Sequence, residues 1–379
     1  MDQLTMEAEA DRAAASGDFA SARSILEQAV RANAGSASLW VKLAALRNAG
    51  GDPTGALDAV EKSLALAPLD FSALLYRATL LEKLGDPTAA LGFGYALAQA
   101  PQEIPAPMRA TVDHARKRWA AHQAELETLL LPLIPDATPK AEKHKLERFV
   151  SNRSRRTRRY DQQPTEFDYP GLPELEFHDR DQFAGIEALE AATDTIRAEF
   201  EALIAAEAAE IVPYIQYPDH LPLMQWKELN ASDKWRAIHL IQNGEVVEAN
   251  ARHCPRTMEV LQQLPQPQIR GASPNAMFSL LAPKTRIPPH TGVANTRLVC
   301  HLPLVVPPDC GFRCGDSHRE WTMGEAFVFD DTIEHEAWNN SDQLRVVFIL
   351  DLWAPALTAA ERSAITAIIE ASGVSFGGA

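Results

Sequence analysis

Cysteine is scarce in this chain, with four in 379 residues, at positions 254, 300, 310 and 314. That is too few to staple a fold of this length, so stability must come from packed cores. Long apolar runs are missing as well; none approaches the ~20 residues that a membrane-spanning helix requires. Positive charge is in the minority, with 36 Lys and Arg against 51 Asp and Glu and a formal net charge of −15. A surface that neutralises phosphates needs the opposite balance, so nucleic acid is not an expected partner. The first residues, Met-Asp-Gln-Leu-Thr-Met-Glu, lack the basic-then-apolar order of a secretory leader, and the expected location is a reducing cytoplasm. Cys310 and Cys314 lie four apart with His301 and His318 nearby, a weak echo of a structural zinc site. The gap is not the usual two residues and there is no second pair, so these thiols read as small core hydrophobes.

What the chain does have is, first, a repeat. Gly17-Asp18, Gly51-Asp52 and Gly85-Asp86 recur every 34 residues, and Ala22, Ala56 and Ala90 keep the same register. A helix-turn-helix period of that length with a small residue in the second helix is the tetratricopeptide signature. Glycine permits the tight turn and alanine lets the paired helices approach. An all-α tetratricopeptide-type solenoid is therefore expected over 1–125, either as a stabilising cap or as a concave groove for a peptide or protein partner. A helical and basic linker follows over 126–164, with Arg148, Arg153, Arg155, Arg156, Arg158 and Arg159, and reads as a solvated or interdomain face. A Pro-rich stretch then opens a third region, 165–379. Its spacing predicts a long helix over 182–208, then short strands rich in Val, Ile, Leu and Phe. These fall at 235–241 (ending in the hairpin signal Asn243-Gly244), 276–281, 296–306, 325–329 and 344–353. Such a series predicts an antiparallel double-sheet roll, with a capping box at Thr358 and Glu361 starting a final helix. The expected class is α+β in two domains.

The chemistry concentrates between 279 and 351. His290 sits in Pro288-Pro289-His290-Thr291-Gly292, and His335 follows Asp330-Asp331-Thr332-Ile333-Glu334. Two neutral imidazoles bind a borderline metal such as iron(II), and an arginine holds a carboxylate with a two-pronged fork. Arg345 follows His335 by ten positions. If the turn at 339–342 is symmetric about Asn340, His335 and Arg345 become cross-strand neighbours. By the period of two, Arg297 and His301 share one strand face, which suits His301 to a metal-bound carboxylate and Arg297 to an anionic substrate. Ser279, one strand earlier, suits a co-substrate carboxylate. His239 and His318 read as core or surface histidines, and Trp321, Trp338 and Trp353 as core.

These same residues carry a resemblance. Pro289-His290-Thr291-Gly292, Asn295-Thr296-Arg297-Leu298, His301-Leu302, the run from Phe329 to Trp338, Leu344-Arg345 and Asp351-Leu352-Trp353 together resemble the aspartyl/asparaginyl β-hydroxylase family, over roughly 165–356. The resemblance implies a double-stranded β-helix (a jelly-roll or cupin-like core) and an iron(II)- and 2-oxoglutarate-dependent dioxygenase that uses O2 to hydroxylate an unactivated carbon, such as the β-carbon of Asp or Asn residues. It assigns iron to His290 and His335, the distal 2-oxoglutarate carboxylate to Arg345 with Ser279 assisting, and the metal-proximal end of the co-substrate to His301. Gly292 stands where most such oxygenases place a third, carboxylate ligand; a small residue there also occurs in halogenating relatives. Val299 stands where animal members carry an arginine that helps hold the acidic substrate. The alternatives are a hydroxylase of a lipid or soluble small molecule and a repeat-containing binding protein without catalysis.

Overall fold

The computed structural model describes residues 3–218, 220 and 222–373. The chain divides into two units, Met1–Arg156 and Thr157–Ala379. In the first, α1 (Gln3–Ala15) and α2 (Phe19–Ala32), α3 (Ala37–Ala49) and α4 (Pro53–Leu66), and α5 (Phe71–Lys83) and α6 (Ala89–Leu97) form three successive hairpins. Each Gly-Asp does the work its period implies. Gly17 and Gly51 take φ +83° and Gly85 φ +74°, a backbone that other residues rarely adopt. Asp18 and Asp52 then cap the next helix by accepting from the backbone N–H of Ser21 and Gly55. Ala22 and Ala56 are fully buried where paired helices meet. Helices α7 (Arg109–Leu130) and α8 (Lys140–Arg153) complete the unit. The linker expected over 126–164 therefore divides, its helical part belonging here. Part of the basic run is engaged locally: Arg156 lies 3.3 Å from Glu127 and Arg155 covers the Tyr95 ring.

The second unit holds twelve strands among the described residues: β1 (Phe177–His178), β2 (Val212–Pro213), β3 (Trp235–Gln242), β4 (Glu245–Val246), β5 (Ala276–Leu281), β6 (Thr285–His290), β7 (Arg297–Val305), β8 (Cys310–Cys314), β9 (Ser317–Arg319), β10 (Phe327–Phe329), β11 (His335–Asn339) and β12 (Arg345–Trp353). All named pairings are antiparallel. The larger sheet runs β1-β10-β7-β12-β5-β3-β2 with β4 on β3, and the smaller runs β6-β11-β8-β9. From β5 onward the chain passes back and forth between the sheets and winds them into a roll. Asn243 and Gly244 both have positive φ, as their hairpin signal requires. Helix α13 (Ala359–Ser372) begins at the expected capping box. The long helix expected over 182–208 is instead two, α9 (Ile186–Ala191) and α10 (Thr193–Ala205). At the break, the Thr193 hydroxyl donates to the Glu190 carbonyl. Helices α11 (Glu248–Ala251) and α12 (Pro255–Leu261) complete the unit's described α-helices.

Alternation along the long strands sorts their side chains. Leu298, Cys300, Leu302, Phe348 and Leu350 face the helices, where Phe278 packs between Phe200 and Phe348 at 5.1 and 5.0 Å. Val299, Val347 and Ile349 face the smaller sheet, against Ile287, Phe312 and Ala337. Arg297, His301 and Asp351 share that inward parity, so the residues that carry chemistry lie between the sheets.

One expectation fails. His335 and Arg345 are not cross-strand partners: β11 pairs with β6 and β8, whereas β12 pairs with β5 and β7, in the other sheet. Asn339 is the reason. Fully buried, it donates from Nδ2 to the carbonyls of Leu281, Ala282 and Gln343, and its Oδ1 receives the Ser341 N–H and hydroxyl. These bonds turn the chain out of one sheet and into the other, where a simple hairpin would fold it back on itself. Asn339→Ala strands several buried backbone groups, so we expect a loss of about 2–4 kcal/mol in equilibrium denaturation. A loss within 0.5 kcal/mol would contradict this role.

Candidate active site

β6 ends on His290 and β11 begins on His335, and the two are register partners with ring centroids 4.0 Å apart. β6 is an edge strand, the one place in a sheet where Pro288 and Pro289 can sit without removing ladder hydrogen bonds. Each ring is fixed in the same way. His290 donates its Nδ1–H to the Pro288 carbonyl at 2.8 Å, and His335 donates its own to the Ile333 carbonyl at 3.1 Å. A carbonyl only accepts, so both protons are on Nδ1 and both Nε2 lone pairs remain available. Burial, then the neighbouring His335, pushes the His290 pKa down to about 3, and burial lowers that of His335 to about 4. At neutral pH both are uncharged donors, the form a metal requires.

This burial has a measurable consequence for the metal-free protein. The unfolded imidazoles take up protons near pH 6.5, whereas the folded ones resist until about 3 and about 4. Between those values the unfolded chain binds more protons, so stability is lost as pH falls below 6.5. The expected slope is about 1.4 kcal/mol per pH unit for each histidine. Denaturation of His290→Gln across pH 4–7 should show a shallower dependence; an unchanged slope would contradict the assignment.

Gly292 faces the Asp331 side chain, and a Cβ at 292 would collide with that carboxylate. Arg297 lies 3.0 Å from Asp331 and 3.6 Å from Asp351, all three buried. Asp351 also accepts from the Ser273 hydroxyl and the Asn275 N–H, each at 2.8 Å. The guanidinium that the sequence assigns to an anionic substrate is thus already matched by two carboxylates of the fold.

Arg345 is different. It is 2% exposed, its Nε has no hydrogen-bond partner, and among the described residues no carboxylate pairs with it. Burial pulls its pKa down to about 10. The Trp321 ring lies 5.0 Å from its guanidinium carbon. Nearby, Trp235 donates its indole N–H to the Ser279 hydroxyl oxygen at 3.0 Å, leaving the Ser279 O–H free to donate elsewhere. Trp321 donates likewise to His301 Nδ1 at 3.4 Å, which leaves the His301 proton on Nε2. Burial also drives the His301 pKa well below its usual value.

Ser279, His290, Arg297, His301, His335 and Arg345 all line one cavity of about 370 Å³. Sequence reasoning missed Trp235 and Tyr214, stacked at 3.8 Å on its wall; Trp321 lies in the core between the sheets, as read, and also lines the cavity. That reasoning also gave no role to Asp331 or His239, which line the cavity as well. Trp353 does lie in the helix-side core, and His318 is exposed. Cys310 and Cys314 are buried and bond to Asn339 Oδ1 and the Asp330 carbonyl.

Among the described residues no three His, Cys, Asp or Glu side chains converge to hold a metal. The His290–His335 pair nonetheless fits a divalent transition metal. Two neutral nitrogen donors, each fixed by a second bond to a backbone carbonyl, would hold it.

The structure thus combines a β-roll, a two-imidazole cleft and a buried arginine that no described carboxylate pairs with, a donor set that fits a divalent metal beside a small anion. Residues 190–355 match the family model described as Aspartyl/Asparaginyl beta-hydroxylase. The human "Aspartate beta-hydroxylase domain-containing protein 2" is 35% identical over 209 residues, covering 54% of this chain and 54% of its own. The "Ornithine lipid ester-linked acyl 2-hydroxylase" of Rhizobium tropici is 33% identical over 166 residues, 42% of this chain and 57% of its own. The chain thus spans little more than half the length of these relatives. The solved Arabidopsis OM64 TPR domain aligns with 32% of this chain and 95% of its own, at 23% identity and a TM-score of 0.28. No described helix is long and apolar enough to cross a membrane.

Proposed function

We propose that this protein is an iron(II)- and 2-oxoglutarate-dependent dioxygenase that hydroxylates an unactivated carbon. The observation that carries the reading is Arg345, a buried cation with no carboxylate of its own, in the same cavity as two neutral, tautomer-fixed imidazoles. A buried unpaired charge is costly, and a ligand that supplies the missing anion relieves that cost. A diacid able to reach both Arg345 and the metal is the simplest such ligand.

His290 and His335 would hold the iron. When bound, it supplies the activation of O2 that is coupled to decarboxylation of the keto acid. Arg345 and the free Ser279 O–H would hold the distal carboxylate, and Trp321 backs the guanidinium. His301, with its proton on Nε2, would donate to the metal-proximal end of the co-substrate. Phe312, Phe329 and Ile349 line the cavity and keep water out. The test is succinate release from 2-oxoglutarate with iron(II), together with a mass gain of one oxygen in a lysate-derived acceptor. If wild type and a His290→Ala/His335→Ala variant release equal trace amounts, the reading fails. The name of the Rhizobium relative supports a second reading, in which a lipid acyl chain is the acceptor. For the repeat unit we propose a peptide- or protein-docking role, on the strength of its three helical hairpins.

A further inference from the structure

We propose that the outer face of the α7–α8 hairpin docks on an anionic lipid membrane, with exposed Leu and Phe side chains entering the interface and neighbouring Lys and Arg meeting lipid phosphates. This stands apart from the dioxygenase reading and involves no acyl acceptor. Of the ten large apolar side chains left exposed among the described residues of the repeat unit, five belong to this hairpin: Leu129, Leu131, Leu133, Leu146 and Phe149. The Glu127 carboxylate accepts from the Ser151 and Ser154 hydroxyls, and the Gln123 amide donates to the Arg155 carbonyl, so α7 and α8 run antiparallel. Leu129 therefore lies level with Phe149, and Leu131 and Leu133 lie level with the turn around Leu146. Single exposed apolar residues are ordinary, but a group of this size at one end of a hairpin marks an interaction surface.

Helix α8 gives little of itself to its own unit. Among its described Leu, Val and Phe side chains Val150 alone is buried, and a helix of 14 residues is marginal without a packed face. By helical spacing Lys145, Leu146, Phe149 and Arg153 share one face, and all four are exposed. Glu142, on the same face, sits in the first turn, where it offsets the helix dipole. Over 142–156 the chain carries six Lys and Arg against two Glu, although the whole chain has a net charge of −15. No described carboxylate forms an ion pair with Lys145 or Arg153. Physiological salt screens charges beyond ~8 Å, so this local excess governs what the face meets. A basic face interleaved with Leu and Phe is the composition of a helix that lies in the plane of lipid headgroups. Nucleic acid or an acidic peptide would use the cations and leave the apolar side chains in water. An anionic membrane takes up both.

The test is co-sedimentation of the full chain with vesicles of phosphatidylglycerol and phosphatidylcholine in equal parts, against phosphatidylcholine alone, at low salt. Binding to the anionic vesicles is expected to be at least about tenfold tighter, and to fall by at least about tenfold in Lys145→Glu/Arg153→Glu. Leu146→Ser/Phe149→Ser leaves the charge as it is and should lower binding to a similar degree. All four positions are exposed, so the melting temperature should match the parent and sedimentation reports the surface itself. Fluorescently labelled polyglutamate and duplex DNA are the soluble comparisons. Equal binding to the two kinds of vesicle, binding to neither, or binding that either pair of substitutions leaves unchanged overturns the proposal. Tighter binding to a soluble polyanion that survives Leu146→Ser/Phe149→Ser overturns it as well, and assigns the cations to a different partner.

Discussion

Replacing His290 by alanine is expected to lower succinate release from 2-oxoglutarate by at least about 100-fold, and to weaken iron(II) binding to a similar degree. On the proposed reading two protein donors hold the metal, so each would supply about half of the protein's grip on it. No nearby side chain stands ready to substitute. Asp331, which lines the same cavity, is tied to Arg297 at 3.0 Å. Because His290 closes an edge strand, its removal should leave the ladder between β6 and β11 largely intact. Iron(II) affinity, read by competition with a chelator, checks the assignment independently of turnover. A variant that binds iron as the parent does would sink the role given to this residue.

Arg345→Met should act in two opposite directions. The KM for 2-oxoglutarate is expected to rise by on the order of 100-fold or more, since the distal carboxylate loses its buried partner. The ligand-free protein should nevertheless become more stable. Arg345 is buried without a matching carboxylate, and an apolar side chain of similar volume removes that strain. A structural arginine would give the reverse, with lower stability and an unchanged KM. Thermal melting with and without 2-oxoglutarate separates the two. Parent protein should gain several degrees on adding the keto acid and metal, and the variant should gain little.

Much of the fold was legible because the deciding signals are local. The glycines at 17, 51 and 85 take the positive φ that the repeat requires, and Asn243-Gly244 makes the turn that it spells. The strand at 276–281 matches β5 to the residue, and that at 344–353 is one residue longer than β12. The six site residues do meet in one cavity, because the motif spacing and the two-residue alternation point them inward. What was not legible depends on contacts between distant segments. The His335–Arg345 pairing assumed a hairpin, but Asn339 binds carbonyls from the loop after β5 and sends the chain to the other sheet. Trp321 is core, as read, but nothing near it in sequence reveals that Arg345 lies over its ring or that it also lines the cavity. The glycine at 292 was recognised as unusual, yet the reason, an aspartate arriving from 39 residues later, is visible only in three dimensions.

The placement of the two histidines and of Arg345 on different sheets has an outcome of its own. A metal gripped by the smaller sheet and a diacid anchored on the larger would span the gap like a clasp. Occupancy would then stiffen the roll as a whole, beyond the local site. Hydrogen exchange along β6, β11 and the start of β12 should slow in concert when both are bound, and neither ligand alone should produce the full effect.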